Sequence, residues 1–370
     1  VSELKKSALE SLLVLNAVDT FGSVRIKKLL DFFGSAENVL QADSRALSQA
    51  GFLTPAICQR LKEAKRRFDP AKEIALAQKK GVTILTVYDA GYPLLLKEIY
   101  DPPVVLYIKG DLRECDHNAL GVVGSRGASY YGLSCAREFA SYFARCGLTV
   151  VSGMARGIDT AAHRAVLDNK GRTLAVLGSG LLDIYPPENE KLFDEIAEKG
   201  AVVSEFPLNT RPLAQNFPVR NRVISGLARG VLVVEASEKS GALITARFAL
   251  EQNREVYAIP GKVSSATSAG THALIKQGAK IVTSPQEILE DMRFNFELSA
   301  SGPTELPGLG VDLDPQESGV VAVLSDEPMG LDDIAGAAGS TASELLAVLT
   351  RLELKKIVKQ LPGKTFVKTT

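Results

Sequence analysis

Along the middle of the chain, short runs of Val, Ile and Leu end in glycine or small polar residues, and longer stretches of helical spacing separate them. The runs are "ALGVVG" (119–124), "LTVVSG" (148–153), "TLAVLGSG" (173–180), "AVVSEF" (201–206), "VLVVEA" (231–236), "VYAIPG" (256–261) and "KIVTS" (280–284). Apolar runs this short, bounded by turn residues, suit strands covered on both faces. The stretches between them, such as "GLSCAREFASYFARCG", read as amphipathic helices. Strand–helix alternation of this kind predicts an α/β fold with a doubly wound, mostly parallel sheet over about 80–292. Two earlier runs, "TILTVY" and "VVLYIKG", extend or flank that sheet.

The flanks follow other patterns. Residues 1–75 hold short helices broken by glycine turns, as in "FGSVRIKKLLDFFGSAENVL" and "LSQAGFLTPAICQRLKEAKRRF", and predict a small helical domain of helix-hairpin-helix or SAM-like type. It carries Arg25, Lys27, Lys28, Lys62, Lys65, Arg66 and Arg67, which read equally as a solvated face or a nucleic-acid contact. Residues 293–317 are rich in Gly, Pro, Ser and acid, the composition of a linker. Residues 318–370 read helix, helix, turn, helix and hairpin, a winged-helix-like order, with Ser340 or Thr341 as the N-cap of the third helix. That third helix has few basic side chains and Glu344 near its start, which favours protein contacts over DNA reading.

The 370 residues balance 43 basic against 43 acidic side chains, so any polyanion site must come from local clustering. Cys58, Cys115, Cys135 and Cys146 form no C-x-x-C and read as reduced thiols of a cytoplasmic protein. No secretory h-region and no membrane span is expected.

In an open α/β sheet, ligands bind outside the carboxyl ends of the strands. Those ends here carry "GSRG" (Gly124, Ser125, Arg126), "SGMARGID" (Arg156, Gly157), "FPVRNR" (Phe217, Arg220, Asn221, Arg222) with Arg211 upstream, "EASEKSGALITA" (Ser240, Gly241) and "PGKVSS" (Lys262). Glycines bring backbone N–H groups close to a phosphate, helix N-termini favour anions, and arginine supplies a forked charge. A rim of unpaired arginines repels itself, so the set predicts an anion. Several cationic loops along one sheet edge suit a chain of phosphates better than a single one. Phe217 reads either as a stacking platform for a base or as a core aromatic at the sheet edge.

Other chemistries find less support. Neither "GVVGSRG" nor "LGSGLLD" fits the dinucleotide G-x-G-x-x-G, and the P-loop is absent, the "GKT" at 363–365 lacking its upstream glycine. Asp159 and His163 lie one helical turn apart, but read as a helix-start residue and an ordinary helix residue rather than as a metal pair. No G-x-S-x-G elbow occurs. Glu205 and Glu235 sit at strand ends, where they balance arginines or serve as acid/base groups.

The segments "GSRGASYYG", "VSGMARGIDTAAHRAVL", "FPVRNRVISGLARGVLVVEA", "SGALITARFALEQNREVYAIPG" and "GTHALIKQGA" resemble, in order and across the whole core, the DNA-processing protein A family (DprA, also called Smf). The resemblance implies an extended Rossmann-like core with accessory flanking domains. It implies single-stranded DNA binding, a homodimer, and loading of a RecA-type recombinase onto incoming DNA during natural transformation. It implies no catalysis; the motifs themselves give no metal and no cofactor to expect. Carried over by motif, the DNA pocket comprises Gly124, Ser125, Arg126, Arg156, Gly157, Phe217, Arg220, Asn221 and Arg222, with Ser240, Gly241 and Lys262 on the same rim. His272 stands where members commonly carry asparagine, which makes a contact there pH-sensitive. The rival readings are a Rossmann-like hydrolase of nucleoside monophosphates, for which no "P-G-G-x-G-T" motif is present, and a protein-binding adaptor.

Overall fold

The computed structural model describes residues 3–18, 21–292, 314–324, 328–355, 357–361 and 363–368; residues 293–313, nearly all of the expected linker, lie outside the described residues. Each apolar run becomes a strand. In chain order these are β1 (Val82–Thr86), β2 (Val105–Gly110), β3 (Ala119–Val123), β4 (Thr149–Ser152), β5 (Thr173–Val176), β6 (Ala201–Ser204), β7 (Gly230–Val233), β8 (Glu255–Ala258) and β9 (Lys280–Ile281). They form one sheet in the order β1-β2-β6-β5-β4-β3-β7-β8-β9. Neighbours from β6 through to β9 pair in parallel, and β2 and β1 add an antiparallel edge. Every residue of β3 to β7 is buried, which is why these strands read as unbroken apolar runs rather than alternating ones.

One face of the sheet is covered by the Asn216–Gly226, Gly241–Glu251 and Ala269–Lys276 helices, whose Val223, Ile224, Ala242, Ala246 and Leu274 pack with Leu106, Val123 and Val151. On the other face Val105, Tyr107 and Val202 meet Leu192, Phe193 and Ile196 of the Glu190–Lys199 helix. The same apolar cluster continues into the N-terminal helices through Leu13, Leu15, Ile26, Leu29, Val39, Leu47 and Leu61. The helices expected to form a separate small domain thus share their core with the sheet. Polar ties reinforce the join. Asn16 Nδ2 donates to the Glu205 carbonyl at 2.9 Å, and Ser23 Oγ to the Asp101 carbonyl at 3.1 Å.

These short helices start where side chains cap them. Ser35, Asp43, Thr54 and Asp69 each accept a backbone N–H three residues on, and Pro55 and Pro70 occupy first-turn positions that need no N–H partner. All four cysteines are free thiols. No helix among the described residues is long and apolar enough to cross a membrane.

The C-terminal unit has its own core. Helices Pro315–Val323, Leu331–Ala338 and Ala342–Leu354 enclose Val320, Ile334, Leu345, Leu349 and Leu352. Strands β10 (Met329–Gly330), β11 (Val358–Leu361) and β12 (Thr365–Lys368) make an antiparallel sheet in the order β10-β12-β11. This is the expected winged helix. Thr341 is the N-cap of its third helix, and Glu344 closes a reciprocal capping box with it. Glu344 therefore has a structural task, and Arg351 is the only basic residue of that helix.

Candidate nucleic-acid interface

The strand order reverses beside β3. The chain moves from β3 through β4 and β5 to β6 on one side, then returns to place β7 on the other. Loops leaving β3 and β7 must diverge there, and a crevice opens between them. A cavity of about 650 Å³ occupies this position. Its walls include Gly124, Ser125 and Arg126 after β3, Ala155 and Asp159 after β4, Phe217, Arg220 and Asn221, and Lys239, Ser240 and Gly241 after β7.

Two glycines of these loops, Gly157 and Gly124, are steric necessities. At Gly157 φ is +75°, and a Cβ there would collide with the Ser125 carbonyl oxygen, so the β3 and β4 loops touch only across a glycine. Gly124 lies equally close against Ile158. Gly241 differs, since a Cβ there would meet nothing within 4 Å. It opens the Gly241–Glu251 helix, whose N-cap is Ser240. The Asn221 amide fixes that helix start by donating to the Gly241 carbonyl at 3.2 Å. The open N-terminus presents backbone N–H groups and the positive end of the helix dipole.

"FPVRNR" is helical rather than a loop, within Asn216–Gly226. Arg220 and Arg222 are therefore two residues apart on a helix and point to different sides. Arg220 lines the cavity from below and is 3% exposed. Its Nη1 donates to the carbonyls of Gly153, at 2.7 Å, and Val176, and its Nε donates to Asn221 Oδ1 at 3.1 Å. The guanidinium so caps the carboxyl ends of β4 and β5. Gly153 makes room for it, since a Cβ would lie 2.6 Å from Nη2. Burial holds the Arg220 pKa down to about 10, against the pull of the Asp159 carboxylate. Asp159, buried as well, accepts the Gly153 and Ala155 N–H groups at 3.1 and 3.3 Å. Burial pushes its carboxyl above the usual range, against the Arg220 charge and those N–H donors.

Arg222, expected on the same rim, lies elsewhere. It is 3% exposed, outside the cavity wall, with Nε on Asp101 Oδ2 at 2.8 Å and Nη2 on Glu205 Oε2 at 2.7 Å. Burial opposes its charge and the two carboxylates outweigh that effect. Arg156 is exposed beside the cavity and forms a forked pair with Glu188, its Nη2 3.0 Å from Oε2, while Nη1 reaches Tyr185 Oη at 3.4 Å. The rim is thus not a row of unpaired arginines, since Arg156 and Arg222 have carboxylate partners and Arg220 has carbonyls and Asp159. Lys262 is exposed and also outside the cavity wall. The nearby His272 Nε2 donates to the Gly261 carbonyl at 3.0 Å and so braces the turn before Lys262.

Two cations on the wall stay without a carboxylate partner among the described residues, Arg126 and Lys239. The Arg126 guanidinium lies 5.3 Å from the Phe217 ring centroid, and that of Arg220 lies 5.9 Å from it. Tyr185 tilts against the same ring at 5.7 Å. Phe217 rests on Gly178, where a Cβ would stand 2.8 Å from the ring. The glycines of "LGSG" therefore serve packing: Gly178 admits Phe217, and Gly180 admits the 207–208 backbone. Glu205 and Glu235, weighed as acid/base groups, do not line the cavity.

Lys239 and Tyr185 were not singled out from the sequence. Lys239 carried a usable signal, a lysine directly before a helix-capping serine at a strand end. Tyr185 carried none, because its loop reaches the site only through the tertiary fold.

Comparison with known proteins identifies the family. The family model described as DNA recombination-mediator protein A matches residues 83–293, and the DprA winged helix domain matches residues 305–364. Protein Smf of Escherichia coli is 44% identical over 278 residues, 74% of each chain, and protein Smf of Synechocystis is 34% identical over 383 residues, 95% of this chain and 96% of its own. The crystal structure of DNA processing protein A from Streptococcus pneumoniae superposes with a TM-score of 0.62 at 38% identity, covering 80% of this chain and 97% of that one. A structure of DNA processing protein A from Helicobacter pylori, concerned with its single-stranded DNA binding mode, gives a TM-score of 0.53 at 27% identity over 58% of this chain and 97% of its own. With the central sheet, the winged helix and both family models in agreement, the chain belongs to the DNA recombination-mediator protein A family, the DprA and Smf proteins.

Proposed function

We propose that this protein binds single-stranded DNA in the switch-point cavity, and that as a cytoplasmic homodimer it protects the strand and hands it to a RecA-type recombinase without transforming it chemically. The observation that carries the binding step is the pair Arg126 and Lys239. They are cations without carboxylate partners, on the wall of a cavity that also holds an aromatic ring and an open helix N-terminus. Phosphates of a strand satisfy these charges and the N–H groups, and a base has the Phe217 ring beside it. The Helicobacter pylori relative supports the strand preference. The recombinase, the dimer and the role in transformation are inferred from family membership. With Arg156, beside the wall, and Lys262, exposed after β8, Arg126 and Lys239 would make about four phosphate contacts.

The test is fluorescence anisotropy with a labelled oligonucleotide at several salt concentrations. About four contacts give a slope of log K against log salt near −3 for single strands. Replacing Arg126 and Lys239 together by alanine makes that slope shallower by about 1.4. Phe217→Ala weakens binding by about 1–3 kcal/mol. A slope of zero, or equal affinity for a duplex of the same length, overturns the reading.

The winged helix contributes little to this affinity, because Arg351 is the only base on its third helix, against Glu344 and Glu353. Removal of residues 293–370 is expected to leave single-strand affinity within a few-fold in the same titration. A loss of about a hundredfold, the scale of two tethered sites acting together, would make the tail a principal binding site.

A further inference from the structure

The cavity leaves one charged feature of the molecule without a task. Residues 21–80 hold twelve Lys and Arg against six Asp and Glu, a net charge of +6 in a chain whose total is zero. Much of the excess sits on one helix. Pro55–Arg67 carries Arg60, Lys62, Lys65, Arg66 and Arg67, with Glu63 as its only acid. All five bases are exposed.

The fold does little to neutralise Lys62, Lys65, Arg66 and Arg67. Glu63 accepts from Gln59 at 3.3 Å. Of the other acids in the segment, Asp69 pairs with Lys72, and Glu73 is buried with its carboxylate on the Leu208 N–H. Lys62 and Lys65 bond neutral oxygens instead, Ser44 Oγ and the Leu40 carbonyl, each at 2.7 Å. These two bonds pin the amines side by side against the turn between the Ala36–Gln41 and Ser44–Gln49 helices. Lys62, Lys65 and Arg66 stand at i, i+3 and i+4, one stripe of the helix, and Lys62 and Arg66 form a like-charged pair that disfavours the helix. Arg66 and Arg67 have no carboxylate partner among the described residues. A fixed row of positive charge whose positions are held by neutral acceptors complements an extended chain of phosphates.

We infer that the Pro55–Arg67 helix is a second contact surface for the phosphate backbone of single-stranded DNA, taking the strand beyond the switch-point cavity. The inference rests on the binding reading above and lengthens the site. Contacts come through charge alone, so they carry no sequence preference and weaken steeply with salt.

The experiment uses the full chain and two labelled oligo-dT strands, of about 6 and about 30 nucleotides, the first near the footprint of a single small site. The helix variant carries Lys62→Gln, Lys65→Gln and Arg66→Gln, all exposed positions with good helix formers. The cavity variant carries Arg126→Ala and Lys239→Ala. The helix variant is expected to bind the short strand like the parent. At about 50 mM salt it should bind the long strand about tenfold more weakly, with a slope shallower by about 2, as the loss of three backbone contacts requires. A charge-keeping variant, Lys62→Arg, Lys65→Arg and Arg66→Lys, restores the long-strand affinity and separates charge from helix damage. Parent-like binding of the long strand by the helix variant overturns the inference. An equal loss on a duplex of the same length overturns the single-strand assignment. Parent-like binding of the short strand by the cavity variant instead overturns the cavity reading, so the two failures are distinct.

Discussion

Replacing Arg220 by methionine is expected to lower the unfolding free energy by about 3–5 kcal/mol, because two buried carbonyls lose a charged donor at about 1.5–3 kcal/mol each. The side chain is 3% exposed and caps the Gly153 and Val176 carbonyls at the ends of β4 and β5. Methionine fills much of the volume but donates nothing. It leaves two carbonyls without that partner and removes the positive charge that favours the buried Asp159 carboxylate. Chemical unfolding at neutral pH measures the loss. Adding Asp159→Asn should recover part of it, because the uncompensated carboxylate is removed, and a double-mutant cycle reads the coupling directly. A loss under about 1 kcal/mol would mean that the guanidinium contributes no more than an ordinary hydrogen bond.

The second large effect is a pH dependence centred on His163. Its side chain is fully buried, and Nδ1 lies 2.7 Å from Thr173 Oγ1. That hydroxyl donates to the Val150 carbonyl, so Nδ1 carries the proton and donates to Thr173. Nε2 has no partner. Burial, with the Arg220 charge adding to it, lowers the imidazole pKa from 6.5 to about 3. Between these two values the unfolded chain takes up a proton that the folded chain refuses. Stability from this group is therefore complete above 6.5 and falls as the pH drops toward 3. From pH 7 to pH 5 the expected loss is about 2 kcal/mol, near 1.4 kcal/mol for each pH unit below 6.5. Urea unfolding at both values, compared with His163→Gln, isolates the effect, since the variant loses this part of the dependence. Identical pH dependence in parent and variant would remove His163 as its source.

Strands β3 to β7 were legible because each is short, mostly apolar and covered on both faces, so residue type alone marks them. The same property hid the geometry of the arginines. Pro218 in "FPVRNR" looks like a loop marker, yet it falls in the first turn of a helix, where its missing N–H costs nothing. Once that segment is helical, Arg220 and Arg222 separate, one to the cavity and one to Asp101 and Glu205. Their partners explain why this was not visible beforehand. Asp101 lies 121 residues before Arg222, and Glu188 lies 32 residues after Arg156. Charges that distant meet only through the sheet order. The loops that form the cavity wall were readable, because strand ends in an open parallel sheet fix where a ligand sits. Which cations stay without a carboxylate partner was not.

The shared core of the N-terminal helices and the sheet bears on how the protein is made. Synthesis runs from the N-terminus, and the last of these helices ends at Lys79, while β6, which supplies Val202 to the same core, ends at Ser204. At ordinary elongation rates the ribosome needs on the order of ten seconds to span that interval. Throughout it the apolar cluster that holds Leu13, Leu15 and Ile26 lacks part of its members. A segment made early is thus completed late, and its fate in the cell depends on residues that have yet to emerge.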